Sequence, residues 1–182
     1  MGTFTFRGYE VFYRREGTGA PMVFLHNGGT SHRTWEPLIE RYAAGYDVIA
    51  PDMLGFGRSG RPRIDYSLDL YVEMLGALLD HLRDANRDPD QLRVLLSLAE
   101  HAESFAGLER KPEGVPVCVI WGKDNKVLKH SDGARFCAAV QPDREVVIPG
   151  AGHLVMLERP DEVAVSIDAF LAEHSETPVA AA

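Results

Sequence analysis

The sequence predicts an α/β fold with a mainly parallel sheet flanked by helices, and three observations support this. Short apolar runs such as Val115–Trp121 are typical of buried strands. Segments with apolar residues at helical spacing separate these runs, and a parallel sheet needs such crossover helices between its strands. The length of 182 residues suits one domain with a substantial core.

The first half of the chain predicts an edge hairpin followed by alternating strands and helices. Residues Thr3 to Glu16 alternate around Gly8, which indicates a β-hairpin. Pro21–Leu25 predicts a buried strand that ends in a glycine loop, His26–Thr30. The remaining elements are a helix over Trp35–Tyr42, a strand over Tyr46–Ala50, and a helix capped by Ser67 that ends near Leu82.

The second half begins after a polar break at residues 83–90. The predicted elements are a helix from Asp90 to Phe105, strand Val115–Trp121, a helix over Asp132–Val140, strand Glu145–Ile148 and a last helix through Val163, Ile167 and Phe170. We therefore predict a single domain over residues 1–176 and a disordered tail over residues 177–182.

Composition excludes several classes of function. The formal net charge of −8 argues against a partner that is itself negative, such as nucleic acid or an anionic membrane. No apolar run approaches the roughly 18 residues of a membrane-spanning helix. The two cysteines and seven histidines show no ligand spacing, so we expect no metal and no cofactor. The N-terminal residues lack a signal-peptide pattern, which predicts a cytoplasmic protein.

Three loops occur along the chain in an order that resembles that of a known protein family. They are Leu25–Thr30 with Trp35 behind it, Pro51–Ser59, and Gly150–His153 followed by Glu158-Arg159-Pro160. Together with strand Val117–Gly122, this set resembles the α/β-hydrolase superfamily, and the predicted fold is a reduced α/β-hydrolase-like one. The resemblance implies that Asn27, Gly28 and Gly29 form an oxyanion loop, that Trp35 lines a substrate site, and that His153 is catalytic.

The first departure from this family is the nucleophile. The pattern G-x-S-x-G, which exposes a serine on a strained turn, is absent, also with cysteine or aspartate at its centre. The nucleophile strand, its helix, the next strand and most of a lid are missing as one block after Leu82. The strands ending at His26 and Trp121 then either pair with each other or remain exposed edges, a template for a homodimer.

The second departure is the catalytic acid. The stretch Gly122-Lys123-Asp124-Asn125 puts Asn125 where the family carries its acid, and a neutral amide cannot stabilise a histidinium as a carboxylate does. Asp124, one residue earlier, is the alternative acid. The candidate catalytic residues are therefore His153 and Asp124.

One motif near the second loop has a structural interpretation. The stretch from Gly55 to Gly60 matches the dinucleotide fingerprint G-x-G-x-x-G, but Arg61-Pro62-Arg63 follows where a helix should open. We interpret this match as coincidental. Asp52, Gly55, Gly57 and Ser59 are interpreted as residues that shape a turn.

The sequence leaves several functions open. The first is a hydrolase for a small, apolar, ester-like molecule, with His153 as general base or acid and no covalent nucleophile. The second is an inactive relative that binds a small ligand or forms dimers. Lyase or cyclase chemistry on the same scaffold is a third, and a gene-level deletion with no selected function is a fourth.

Overall fold

The computed structural model describes residues 1–85, 111 and 114–174. The helix predicted from Asp90 to Phe105 and the tail predicted at residues 177–182 lie outside the described residues. The chain divides into two compact units, Met1–Ser104 and Phe105–Ala182, and each is described by itself. The single domain over residues 1–176 stays a prediction.

The first unit contains a four-stranded sheet in the order β1-β2-β4-β3. The strands are β1 (Gly2–Phe6), β2 (Tyr9–Glu16), β3 (Ala20–Val23) and β4 (Tyr46–Pro51). β1 and β2 form the predicted hairpin, whose two turn residues Arg7 and Gly8 both have positive φ, as a tight two-residue turn requires. β2 pairs antiparallel with β4, and β3 pairs parallel with β4. The fold is therefore a reduced, hydrolase-like α/β arrangement, as predicted.

In residues 1–85, the described part of the first unit, two helices and a short 3-10 turn accompany the sheet. The 3-10 turn spans His32–Trp35, α1 spans Glu36–Tyr42 and α2 spans Leu68–Ala85. The predicted helix at Trp35 starts one residue later as an α-helix because Pro37 lies in its first turn, where proline is favoured. Ser67 caps α2 as predicted, since its Oγ accepts a hydrogen bond from the Leu70 N–H at 3.1 Å.

The core of this unit lies between α2 and the sheet. A cluster of apolar side chains from α2, the strands and the turn after β4 is buried there. Because apolar burial is the main favourable term in folding, this cluster holds α2 against the sheet. Its buried residues are Phe4, Phe6, Val11, Ile49, Leu54, Leu70, Met74, Leu78 and Leu82.

The second unit, over its described residues 111 and 114–174, contains two parallel strands and three helices. The strands are β5 (Cys118–Gly122) and β6 (Arg144–Ile148), and the helices are α3 (His130–Val140), α4 (Val155–Glu158) and α5 (Pro160–His174). β5 starts later than predicted because Pro116 has no N–H to donate and the Val117 N–H donates to the Asp143 carboxylate instead. The short helix α4 was not predicted.

The carboxyl ends of the parallel strands position the loops of interest. The loops after β3 and β4 carry residues 24–30 and 52–60, and the loops after β5 and β6 carry residues 123–129 and 149–154. β3 is an edge strand of the four-stranded sheet, and Leu25 just beyond it is 42% exposed. A homodimer through such edges stays a prediction.

Candidate active site

The second unit brings the loops after β5 and β6 into direct contact. The Lys123 N–H donates to the Ile148 carbonyl at 3.0 Å, and the Asp124 N–H donates to the Ala151 carbonyl at 2.8 Å. Gly122 lies where the loops meet, and a Cβ there would stand 2.2 Å from the Gly152 carbonyl oxygen. Only glycine allows this approach, because a side chain would overlap the backbone of the second loop.

The loop after β6 holds His153 between two anchored peptide groups. The Glu158 carboxylate accepts the Gly152 N–H at 2.7 Å and the Leu154 N–H at 3.1 Å. These are the residues on either side of His153, which is itself partly exposed. The clamp therefore fixes the backbone from which the imidazole projects.

Asn125 is the side chain that the structure places against the imidazole. Its Nδ2 lies 3.4 Å from His153 Nδ1, at the long end of hydrogen-bonding range. Its Oδ1 accepts the Val127 N–H and the Leu128 N–H, both at 3.0 Å. Asp124 is exposed and joins the loops through its backbone. Its role as the catalytic acid stays a prediction.

In the first unit, His26 ties the glycine loop to the turn after β4. Its Nδ1 lies 2.8 Å from the Asn27 carbonyl oxygen, and its Nε2 accepts the Met53 N–H at 2.9 Å. The carbonyl can only accept and the N–H can only donate, so the proton of the neutral ring lies on Nδ1. With the residue 7% exposed and both nitrogens engaged, His26 is a structural connector.

The predicted oxyanion loop is exposed. Asn27, Gly28 and Gly29 are all exposed, and a Cβ on either glycine would meet nothing within 4 Å. Of the two, Gly29 has the positive φ of 82° that favours glycine. Thr30 Oγ1 donates within the loop, 2.9 Å from the carbonyl oxygen of Asn27. An oxyanion-binding role for this loop stays a prediction.

Trp35 packs inside the first unit. Its ring stacks on Phe24 with centroids 4.9 Å apart. Its indole N–H is buried and has no hydrogen-bond partner in the part of the chain that the structure describes. A role for Trp35 in lining a substrate site stays a prediction.

The turn after β4 is organised around the fully buried Asp52. Its carboxylate accepts the His32 N–H at 2.7 Å, His32 Nδ1–H at 2.8 Å and the Arg58 N–H at 2.7 Å. A Cβ on Gly57 would stand 2.1 Å from Asp52 Oδ2. Ser59 Oγ donates to the Asp52 carbonyl and accepts the Phe12 N–H at 2.9 Å. These internal contacts are those that a turn-shaping role requires.

Neither cysteine supplies a thiolate to replace a serine nucleophile. Burial raises the pKa of the Cys118 thiol and of the Cys137 thiol above the usual value. Both thiols are therefore protonated at neutral pH and weakly nucleophilic. Within residues 1–85, 111 and 114–174, no group of three potential ligands could hold a metal ion, and no helix is long and apolar enough to cross a membrane.

Sequence reasoning missed what Glu158 and Gly122 do. Both residues belong to motifs that can be seen in the sequence, but a motif does not show which atoms its residues contact. The available signal was the acidic residue at the end of the turn that follows His153.

The chain is similar to two enzymes of known name and to a solved esterase structure. The haloalkane dehalogenase of Mesorhizobium japonicum is 42% identical over 150 residues, which cover 80% of this chain and 46% of that relative. The 2-hydroxy-6-oxo-6-(2'-aminophenyl)hexa-2,4-dienoic acid hydrolase of Metapseudomonas resinovorans is 23% identical over 266 residues, covering 96% of this chain and 92% of the relative. The thermophilic esterase of Thermogutta terrifontis superposes with a TM-score of 0.72 at 16% identity, over 94% of this chain and 96% of the esterase.

Coverage of the relatives is uneven. The chain spans 23% of the length of similar uncharacterized mycobacterial proteins and 46% of the dehalogenase. The alignment with the dienoic acid hydrolase has 266 positions against 182 residues here, an excess of 84. At least that many of its positions have no counterpart in this chain.

Two family models match consecutive parts of the chain. One, described as alpha/beta hydrolase fold, matches residues 20–87, and one described as alpha/beta hydrolase family matches residues 80–166. The esterase superposition independently shows the same fold. The chain belongs to the alpha/beta hydrolase superfamily.

Proposed function

We propose that this protein acts on a small, largely apolar, ester-like molecule. The His153 imidazole takes part in the reaction by transferring a proton or by donating a hydrogen bond. The observation that carries the proposal is the clamped loop, in which Glu158 binds the N–H groups on both sides of His153. A partly exposed imidazole on a fixed backbone is suited to general acid–base work. Two relatives whose names specify reactions of small organic molecules, a haloalkane and a dienoic acid, support this substrate size.

The proposed reaction has no covalent intermediate. Ser59 is engaged by the Asp52 carbonyl and the Phe12 N–H, and both cysteine thiols are protonated. Water is then the attacking group, and His153 assists by proton transfer or by a hydrogen bond to the carbonyl. Such assistance contributes about 10²–10⁴-fold. We therefore expect slow turnover that depends on this one side chain.

The test measures turnover of 4-nitrophenyl acetate, butyrate and hexanoate by the parent chain and by His153→Ala. We expect measurable turnover in the parent chain and a loss of about 10²-fold or more in the variant. His130→Ala is the matched control, since His130 is an exposed histidine of the same unit. Circular dichroism and thermal melting verify that each variant is folded. Equal turnover in the parent chain and His153→Ala would exclude the proposal.

A second candidate function is binding without turnover, and Asn125 favours it. A neutral amide in place of a carboxylate removes the charge that stabilises a histidinium. Calorimetry with butyrate and butyramide, alongside the ester panel, separates the candidates. Saturable binding with no turnover above buffer supports this second function, and His153-dependent turnover excludes it.

A further inference from the structure

We infer that His26 is an acid-sensitive switch between the glycine loop, His26–Thr30, and the turn after β4. The neutral imidazole connects the two segments because it accepts a backbone hydrogen bond from that turn. When the ring takes up a proton from water, this bond is broken and His26 detaches from the turn. The inference concerns contacts within the first unit and does not depend on the proposed function.

The two hydrogen bonds of the His26 ring require a neutral imidazole. Nε2 accepts the Met53 N–H at 2.9 Å, so this nitrogen must present a lone pair. Nδ1 lies 2.8 Å from the Asn27 carbonyl oxygen and therefore carries the proton. An imidazolium has an N–H on both nitrogens. Its Nε2–H would face the Met53 N–H, and the hydrogen bond between the loop and the turn would be lost.

Within residues 1–85, the groups that face the His26 ring are uncharged. On the loop side they are the Asn27 carbonyl and the Thr30 hydroxyl, whose Oγ1 lies 3.4 Å from Nδ1. On the other side they are the Met53 N–H and the Phe56 ring, whose centroid lies 5.7 Å from that of the imidazole. His26 is 7% exposed, and burying a charge without a counter-ion is costly. Protonation therefore drives the ring out of this position and towards water.

The charged side chains of the turn after β4 have other partners. They are Asp52 and Arg58. The Asp52 carboxylate accepts the His32 N–H, His32 Nδ1–H and the Arg58 N–H. The Arg58 guanidinium lies over the Phe12 ring, 4.1 Å from its centroid. The Asp52 carboxylate is thus directed at His32, although Asp52 precedes Met53 in the sequence.

The ends of the segment that contains the glycine loop respond differently to acid. At one end, the Phe24 N–H donates to the Ile49 carbonyl at 2.9 Å, and neither group titrates. At the other end, His32 Nδ1 lies 2.8 Å from Asp52 Oδ1. A carboxylate accepts an N–H from a neutral or a charged ring, and the charged ring binds it more strongly. Acid therefore breaks the connection at His26 and keeps those at Phe24 and His32.

The first experiment measures hydrogen exchange of three backbone amides by NMR on the full chain. Protection of the Phe24, His32 and Met53 N–H groups is compared at about pH 8 and about pH 5, the range in which histidine changes charge, after correction for the intrinsic effect of pH on exchange. We expect protection of the Met53 N–H to fall about 10-fold at the lower pH, because one hydrogen bond is lost. Protection of the other two amides should stay the same. Unchanged protection at Met53, or an equal fall at all three amides, would overturn the inference.

The second experiment reads the tautomer of His26 by long-range ¹H–¹⁵N correlation NMR with ¹⁵N-labelled histidine. The signals of His26 are identified by their absence in His26→Gln. At the higher pH we expect the Nδ1–H tautomer, because Nε2 accepts the Met53 N–H. The Nε2–H tautomer at that pH would overturn the inference.

Two variants test whether His26 is the group that responds to acid. His26→Gln is the matched variant, because the glutamine carbonyl can accept the Met53 N–H and does not titrate. Protection of the Met53 N–H should not depend on pH in this variant, and a fall equal to that of the parent chain would overturn the inference. His130→Ala, at an exposed histidine of the second unit, should respond as the parent chain does, and loss of the response would also overturn it. If His26→Gln does not fold, the comparison of the three amides in the parent chain decides.

Discussion

Each unit pairs a histidine Nδ1 with a side chain that follows a parallel strand, and the two pairs differ in chemistry and in exposure. In the first unit, His32 Nδ1 lies 2.8 Å from the Asp52 carboxylate, with side chains 5% and 0% exposed. In the second unit, His153 Nδ1 lies 3.4 Å from the Asn125 amide, and both residues are partly exposed. The carboxylate–imidazole pair is thus buried, and the pair at the family's catalytic position lacks the carboxylate.

This difference shows why a histidine beside an aspartate does not by itself mark an active site. Asp52 accepts three hydrogen bonds, two of them from backbone N–H groups, so its charge stabilises a turn. Because the Asp52 side chain is 0% exposed, a substrate cannot reach this carboxylate. His153 has the accessible position, and its partner determines what it can do there.

The largest effect is expected from Asp52→Ala. Removing the carboxylate leaves the buried N–H groups of His32 and the part-buried Arg58 N–H without their acceptor. Losing a buried partner of this kind costs about 3–5 kcal/mol. Asn125→Ala should cost about 1 kcal/mol, because its contacts are closer to solvent. Urea denaturation of both variants, with the exposed Asp124→Ala as reference, measures the two values. Equal losses for Asp52→Ala and Asn125→Ala would contradict the distinction between the buried pair and the partly exposed pair.

A smaller effect is expected where the two loops of the second unit touch. In Gly122→Ala, the new Cβ would stand 2.2 Å from the Gly152 carbonyl oxygen, so the loops carrying Asn125 and His153 must separate. We expect a loss of about 1–3 kcal/mol in the free energy of unfolding. Gly76→Ala is the control, because a Cβ there meets nothing within 4 Å in the middle of α2. That substitution should stabilise the chain by about 0.5–1 kcal/mol. The same sign for both variants would contradict the predicted close approach.

The smallest effect is expected from Asp143→Asn, which removes an exposed carboxylate in the second unit. The hydrogen bond from Lys111 at 2.6 Å, together with that from the Val117 N–H, holds the pKa of Asp143 below its usual range. Because the folded pKa lies below the unfolded one, the stabilisation is complete above about pH 4 and is lost as the pH falls through the folded pKa. Stability curves from pH 7 to pH 2 for the parent chain and Asp143→Asn should converge at the acid end. A constant separation across this range would contradict the prediction.

The fold was predictable where the signal is local. The hairpin around Gly8, the cap at Ser67 and the strand ending at Pro51 follow from alternation, capping chemistry and apolar runs. The late start of β5 was not predictable, because it depends on Asp143, which lies 26 residues from the Val117 N–H it engages. Periodicity carries no information about such a contact.

The candidate site was predictable in part. The positions of His153 and Asn125 could be read from the motifs, and the substitution of amide for acid was visible. The orientation of the amide was not, because it depends on two N–H groups of the following turn, those of Val127 and Leu128.

The Glu158 clamp affects how the loop that carries His153 folds. Its two hydrogen bonds close over six and four residues. The entropy lost on closing such short loops is small, so the His153 turn can form early and without strands from elsewhere in the chain. The backbone hydrogen bonds that hold His153 therefore lie within residues 152–158, so this turn depends on contacts that are local in sequence.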